Sequence, residues 1–483
     1  MGLGILSDRY LGENVPGTSL LDDLHNRKLV DHPESALKRS KDGIILVPQP
    51  SSSPNDPLNW PFWRKCMLML TLTYGAGVVG AFGPIIGAGL TQVATNLDTS
   101  VDALSMITGD LVLAIGLVLI LTAPASVIWG RRPVFLIGNA LLLASSIWSS
   151  VAKDLGSLTA SRVIGGIGMA PIECLVEASI ADIFFVHERG KWIAVWSCGI
   201  LFILTILFVP ETAYVRPVLS REPIPQEPSS PDHNKGGSLN IDVIDVDVEK
   251  SSKLAGSFSD TGTETVYPYL RTLLPYSRHR FSEGKFWKIA LRPFTLVCSP
   301  AVAWGTLVYG TTSGWLVALS VSVSLLFSSP EYGYDFRAGP VGLISGVGPF
   351  IAAILGNAIA GPLSDWSVTW LSRRNNGVYE PEFRLFMVIP LLLATTIGWV
   401  VSYVVDAHSN YAPEAFATIN CIKNLFTFGL TYYVVPWLTA QGVLRTFCTI
   451  GGINIWVCLM TIPMYVYGKR ARSWVHRTPW MLA

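Results

Sequence analysis

The chain has 483 residues, half of them hydrophobic, only 14% charged, and a formal net charge of +1. Soluble domains carry roughly 25% charged residues, so an ordinary soluble globular protein is excluded. A near-zero net charge likewise excludes nucleic-acid binding, which needs a concentrated basic face.

Residues 1–63 are rich in Ser, Pro, Asp and Lys. They lack a cationic start, apolar core and cleavage site, so they read as a disordered tail, with the first spanning helix directing insertion. Apolar runs then follow at Cys66–Leu90, Leu104–Trp129, Val134–Ala152, Leu158–Val186 and Trp192–Val209. Runs of roughly 20 residues match the hydrocarbon thickness of a bilayer, and backbone crosses it only as helix or closed barrel. The expected class is therefore an all-α polytopic membrane protein, with residues 64–210 as a first transmembrane bundle.

Residues 211–292 are polar, Pro-rich and acidic in part, and end in a basic stretch with Arg278, Arg280, Lys285, Lys288 and Arg292. They read as a central loop. A second bundle is expected over 293–468, with apolar runs at Phe294–Leu326, Val341–Leu363, Leu385–Val405, Ala417–Leu438 and Phe447–Tyr467. Residues 469–483 form a short basic tail. Pro124-Ala125-Ser126-Val127 and Pro362-Leu363-Ser364-Asp365 each close a second helix and run into paired arginines, Arg131-Arg132 and Arg373-Arg374. Matched loops in two halves suggest parallel repeats around a central cavity.

The seven cysteines are scattered through apolar segments without metal-ligand or redox spacing. No nucleophile–base pair, phosphate-binding loop or HExxH string occurs, so no enzyme activity, cofactor or metal is expected. Gly165-Gly166-Ile167-Gly168 lies mid-run, where small residues serve helix packing.

Several strings together resemble the major facilitator superfamily. Gly130-Arg131-Arg132-Pro133-Val134 is similar to its loop signature after helix 2, and Arg162-Val163-Ile164-Gly165-Gly166-Ile167-Gly168 to its helix 4 signature. Ile180-Ala181-Asp182-Ile183-Phe184-Phe185-Val186-His187-Glu188-Arg189-Gly190, Pro210-Glu211-Thr212-Ala213-Tyr214 and Asn375-Asn376-Gly377-Val378-Tyr379-Glu380-Pro381-Glu382 resemble the fungal drug:proton antiporter branch. The resemblance implies two bundles of six helices, with both tails and the central loop in the cytoplasm. It also implies a lipid bilayer, a small-molecule substrate and protons as partners, a monomer, and the plasma membrane or alternatively the vacuolar membrane.

The chain departs from that pattern by showing about 10 apolar spans instead of 12, five in each half. Lys and Arg mark the cytoplasmic side, and they flank both ends of Trp192–Val209. Arg373, Arg374 and Arg384 precede Leu385–Val405, and Asp406 to Lys423 resembles a cytoplasmic loop. Each run stands where an even number of crossings is needed, so roughly 30 to 45 residues are read as absent from each half.

Arg162 lies inside an apolar helix, where an ionisable group is costly and usually functional. Glu173 follows eleven residues later, about 20° away on the helical wheel and roughly 16 Å along the axis. Arg162 and Glu173 are therefore candidates for proton coupling at a cavity, with Arg162 given that part by the resemblance. Glu177 is one turn further; it and Asp182 have the alternative of being solvated end charges near the headgroups. Asp110 is a cavity candidate or an interfacial charge. Gly130, Arg131, Arg132 and Asp365 are read as gating-loop residues, with Val127 standing where the family usually has an acid. Trp304, Tyr309, Tyr432 and Trp437 are candidates for a hydrophobic substrate cavity, with lipid-facing anchorage as the alternative.

The expected function is proton-coupled efflux of small hydrophobic organic compounds. The competing expectations are uptake of a cation or nutrient, and a non-transporting, shortened remnant.

Overall fold

A computed structural model describes residues 18–20, 38, 46, 48, 50, 51, 53–83, 86, 90–185, 280–282, 284–328, 362–375, 378–387, 396–408 and 411–478. In the first half these form α1 (Phe62–Phe82), α2 (Leu90–Asn96), α3 (Val101–Trp129), α4 (Arg131–Val151) and α5 (Leu155–Ile183). Ser100 caps α3 by accepting from the Ala103 amide, and Asp154 caps α5 by accepting from Ser157. Gly130 has φ +91°, open to glycine without strain, and lets α4 begin directly where α3 ends. Helices α3, α4 and α5 approach through glycine. A Cβ on Gly168 would lie 2.7 Å from the Gly138 carbonyl oxygen and the Leu142 amide, and one on Gly166 would lie 2.5 Å from the Leu111 carbonyl oxygen.

The second half contains α6 (Phe286–Leu296), α7 (Pro300–Ser328), α8 (residues 362–374), α9 (Thr396–Ala407), α10 (Ala412–Gln441), α11 (Val443–Leu459) and α12 (Thr461–His476). Among the described residues, Ala103–Trp129, Arg131–Val151, Leu155–Ile183 and Val443–His476 are long and apolar enough to span, with α6–α7 as a bent fifth. Three expectations need correction. The run Phe294–Leu326 is not one straight span: α6 and α7 meet at 75° around Pro300, because proline disfavours helical backbone in the residue before it. Helix α6 buries Ile289 and Ala290 while exposing Trp287, Leu291 and Phe294, the pattern of a helix lying along an apolar–water boundary. The stretch ahead of Lys423 is not loop, because α10 is already helical from Ala412.

The third correction concerns Leu385–Val405. It is preceded by a 3-10 turn over Pro381–Met387 and contains α9, of only 12 residues. Its flanking residues Arg384 and Asp406 are ion-paired at 2.7 Å, so the two ends of the run lie side by side. The run Trp192–Val209 and residues 341–361 of Val341–Leu363 lie outside the described residues.

Two pieces of the expected disordered tail are structured. Asp56 accepts from the Ser51 and Leu58 amides, and Lys65 donates to the Leu58 carbonyl, which fixes the entry to α1. Strand β1 (Ser19–Leu20) pairs antiparallel with β2 (Val378–Tyr379).

The Gly130 end of the first half also receives the second half. Arg131 binds Asp182 at 2.8 Å, placing the end of α5 beside the α3–α4 joint. The Phe281 amide donates to the Ile128 carbonyl, and the Trp129 and Phe286 rings lie 5.8 Å apart. Helix α5 therefore ends, and α6 begins, on one side of the molecule.

Candidate functional site at the seam between the halves

Helix α10 carries buried polar residues at Glu414, Thr418, Lys423, Thr427 and Thr431, with Asn420 and Asn424 beside them. Asn420, Lys423, Asn424, Thr427 and Thr431 follow steps of three and four residues and share one helical face, whereas Glu414 and Thr418 turn toward α6. That polar face packs against first-half helices α3 and α5. A Cβ on Gly109 would lie 2.3 Å from Thr431 Oγ1, and one on Gly116 would lie 3.1 Å from Asn424 Cβ. Increasing numbers on α3 meet decreasing numbers on α10, so the two helices run antiparallel.

The centre of this seam is Glu173 on α5. Lys423 Nζ lies 2.9 Å from Glu173 Oε2, and Asn424 Nδ2 donates to the same oxygen at 3.1 Å. Asn420 Nδ2 donates to the Glu173 backbone carbonyl at 2.8 Å. The ammonium of Lys423 also lies 5.3 Å from the centre of the Tyr309 ring on α7. An ion pair with two amide donors thus joins the halves through three helices. Glu177, one turn beyond Glu173, is fully buried, and neither carboxyl oxygen has a hydrogen-bond partner among the described residues. The solvated-end-charge alternative is therefore overturned for Glu177. Asp182 instead holds Arg131.

The other candidates are dispersed. Arg162 is buried, but it points to the end of α1: NH1 donates to the Phe82 carbonyl at 2.7 Å and NH2 to the Gly83 carbonyl at 3.2 Å. Its guanidinium also sits 4.6 Å above the Phe82 ring. The groups it binds are carbonyls at a helix C-terminus, where unpaired oxygens and the helix dipole favour a cation. Arg162 and Glu173 share a helix face yet have different neighbours, because 16 Å of axis separates them, roughly three turns. Asp110 faces the Tyr432 hydroxyl across the α3–α10 contact. Trp304 is packed edge-on to Tyr403 at 5.5 Å in the second-half core, and Trp437 packs against Tyr433 at 6.1 Å.

The gating candidates form two end clusters. Gly130 supplies the tight joint, Arg131 binds Asp182, and Arg132 is buried beside them. In the second half, Asp365 lies 3.8 Å from Arg384, whose NH1 also donates to Ser364 Oγ and whose Nε donates to Asp406. The Tyr379 hydroxyl donates to Asp406 as well. Lys469–Glu380 and Arg472–Glu382 pairs, both at 2.7 Å, tie α12 to this cluster. Outside the spans, burial holds the His408 imidazole down at about 4, helped by the Arg472 charge; its Nε2 lies 3.0 Å from Ser299 Oγ.

Sequence reasoning missed Lys423, Asn420 and Asn424, having placed the first two in a stretch that resembles a loop. The signal was present in the three- and four-residue spacing of polar side chains from Asn420 to Thr431. Among the described residues, no group of His, Cys, Asp and Glu is arranged to hold a metal.

The sequence model described as Major Facilitator Superfamily matches residues 66–210. An uncharacterised MFS-type transporter of Schizosaccharomyces pombe is 25% identical, covering 97% of this chain and 94% of its own length. Protein HOL1 of Saccharomyces cerevisiae is also 25% identical, over 97% and 98% of the two chains. The MFS transporter cpaT of Aspergillus oryzae is 24% identical, over 87% and 90%. The alignment with the Schizosaccharomyces protein runs over 552 positions against 483 residues here, so at least 69 of its positions (552 − 483) face gaps in this chain.

Proposed function

We propose that the chain, similar to the Major Facilitator Superfamily over residues 66–210 and to fungal transporters along nearly its whole length, is a membrane transporter of that superfamily that exports small hydrophobic organic compounds in exchange for protons. The observation that carries this reading is the Glu173–Lys423 pair between α5 of one half and α10 of the other. A buried ion pair is a poor source of net stability, since desolvation offsets the attraction. Placed between two bundles that rock about a central site, it is well suited to form in one conformation and break in the other. Aromatic rings flank these polar groups: Tyr309 lies against Lys423, and Trp315 packs edge-on to Phe426. Such a lining favours a mostly apolar cargo, with few polar groups to orient it.

In this reading Glu173 and Lys423 close the seam, and a proton exchanged at the same seam supplies the driving force. Arg162 supports the cavity indirectly, by holding the end of α1 in place. The Gly130–Arg131–Asp182 and Asp365–Arg384–Asp406 clusters steady the ends of each half. The protein works as a monomer in the plasma membrane.

The test is reconstitution into vesicles with an imposed pH gradient, following the uncharged fluorescent dye Nile red. Dye movement should follow the gradient, stop on adding a protonophore, and fall at least tenfold in Lys423→Met. Movement indifferent to the gradient would overturn proton coupling, and unchanged movement in Lys423→Met would remove the seam from the mechanism.

A further inference from the structure

Glu177 has no role in the latch just described, yet it is the most completely enclosed acid of the seam. It is 0% exposed, and no donor reaches either oxygen among the described residues. Glu173 and Cys174 approach it from α5 itself, Lys423 from α10 and the Tyr309 hydroxyl from α7, while Glu414 of α10 and Arg131 of α4 face the neighbouring Cys174. Two of the charged groups are already committed: Lys423 to Glu173, and Arg131 to Asp182. Glu414 is engaged by Arg292 at 3.4 Å.

An ionised carboxylate without a donor or water is strongly disfavoured, whereas the neutral acid fits such a place. Glu177 lies four residues from Glu173, which places the two carboxyl groups about 6 Å apart along the helix axis, on nearly the same face. Lys423 carries its charge on a flexible four-carbon stem, long enough to swing between positions separated by one turn.

Resting on the proton-coupled reading above, we propose that Glu177 is the proton carrier and that its ionisation unlocks the two halves by taking Lys423 from Glu173. In the closed state Glu177 holds its proton and Lys423 binds Glu173. When water reaches the seam, the Glu177 O–H bond breaks and the proton leaves to that water. The new carboxylate attracts the Lys423 ammonium, and the Lys423–Glu173 hydrogen bond breaks. Glu173 keeps the Asn424 amide as its donor. Reprotonation of Glu177 returns Lys423 to Glu173 and closes the seam. The charge inventory balances: one proton leaves, and one ion pair replaces another.

The experiment measures the separation of the halves directly, without a substrate. Spin labels at Ile147→Cys on α4 and Leu444→Cys on α11, both exposed positions, report the distance after the exposed Cys298 and Cys448 are replaced by serine. The distance should titrate as one transition between about pH 5 and about pH 9, a window wide enough for a shifted carboxylic acid. Glu177→Gln should hold the acid-side distance at every pH, and Glu177→Asp should restore a titration with a displaced midpoint. Lys423→Gln, which removes the shared cation, should also abolish the transition. A Glu177→Gln protein that titrates like its parent would overturn the proposal, as would one in which Lys423→Gln leaves the transition intact. If the distance titrates through Glu177 while Nile red movement ignores the pH gradient, the switch stands and the exporter reading fails.

Discussion

Arg384 and Asp406 stand 22 residues apart in sequence and 2.7 Å apart in space. Both side chains are almost fully buried, with Tyr379 and Ser364 completing their hydrogen bonds. The pair therefore staples together the two ends of the apolar run Leu385–Val405. A straight helix of that length would carry its ends roughly 30 Å apart. Breaking a buried pair by removing one partner costs about 3–5 kcal/mol. Asp406→Ala should lower the thermal unfolding midpoint of the detergent-solubilised protein by several degrees, and the same loss should appear in Arg384→Ala. Additive losses in the double variant would show that the two side chains do not act together.

The Schizosaccharomyces relative aligns with gaps of at least 69 positions in this chain, close to the sum of one two-helix hairpin, or about 40 residues, per half. Inserting a helical hairpin after Met387 and another after His187 should raise dye flux at least tenfold at equal membrane abundance. Equal flux from the two proteins would identify the shortened chain as a competent carrier in its own right.

Gly168 faces backbone on α4, with no flexible side chain able to yield. Gly168→Ala should destabilise the first half by about 1–3 kcal/mol, the usual cost of overpacking. Gly429, with nothing within 4 Å of a built Cβ, is the matched control, and Gly429→Ala should be neutral or slightly stabilising. Comparable unfolding temperatures for the two variants would contradict the close α4–α5 approach.

Burial holds His408 at about 4, below the ordinary value of 6.5. The unfolded chain thus binds a proton below pH about 6.5 that the folded chain refuses until pH about 4. Stability contributed by the neutral imidazole is complete above the upper value and is lost as pH falls through this window, amounting to about 3 kcal/mol in full. Unfolding midpoints measured across the window should fall with acidity, and His408→Gln should flatten that slope. A slope unaltered by the substitution would assign the acid sensitivity to other groups.

Arg162 gives two hydrogen bonds to the end of α1, and hydrogen bonds to a charged group contribute about 1.5–3 kcal/mol each. Arg162→Ala should reduce both unfolding temperature and dye flux, and Arg162→Lys should recover only part of each, since an ammonium lacks the planar fork. Loss of flux at unchanged stability would argue for a direct part in proton transfer.

The sequence by itself determined the class of this protein. Long apolar runs leave helix as the economical way to satisfy backbone in lipid, and the glycine string Gly165 to Gly168 already announced close helix contact, which the backbone approach at Gly166 and Gly168 bears out. Hydropathy is a property of each residue, so it could be read one residue at a time. It could not reveal the 75° bend at Pro300, the side-by-side ends of Leu385–Val405, or the partners of Arg162 and Glu173. Those depend on which helix lies opposite, set by contacts between residues as far as 251 positions apart. The polar face of α10 illustrates the division: its spacing was legible, but only packing against α5 turned Lys423 into the counter-charge of Glu173 and left Glu177 enclosed without a hydrogen-bond donor among the described residues.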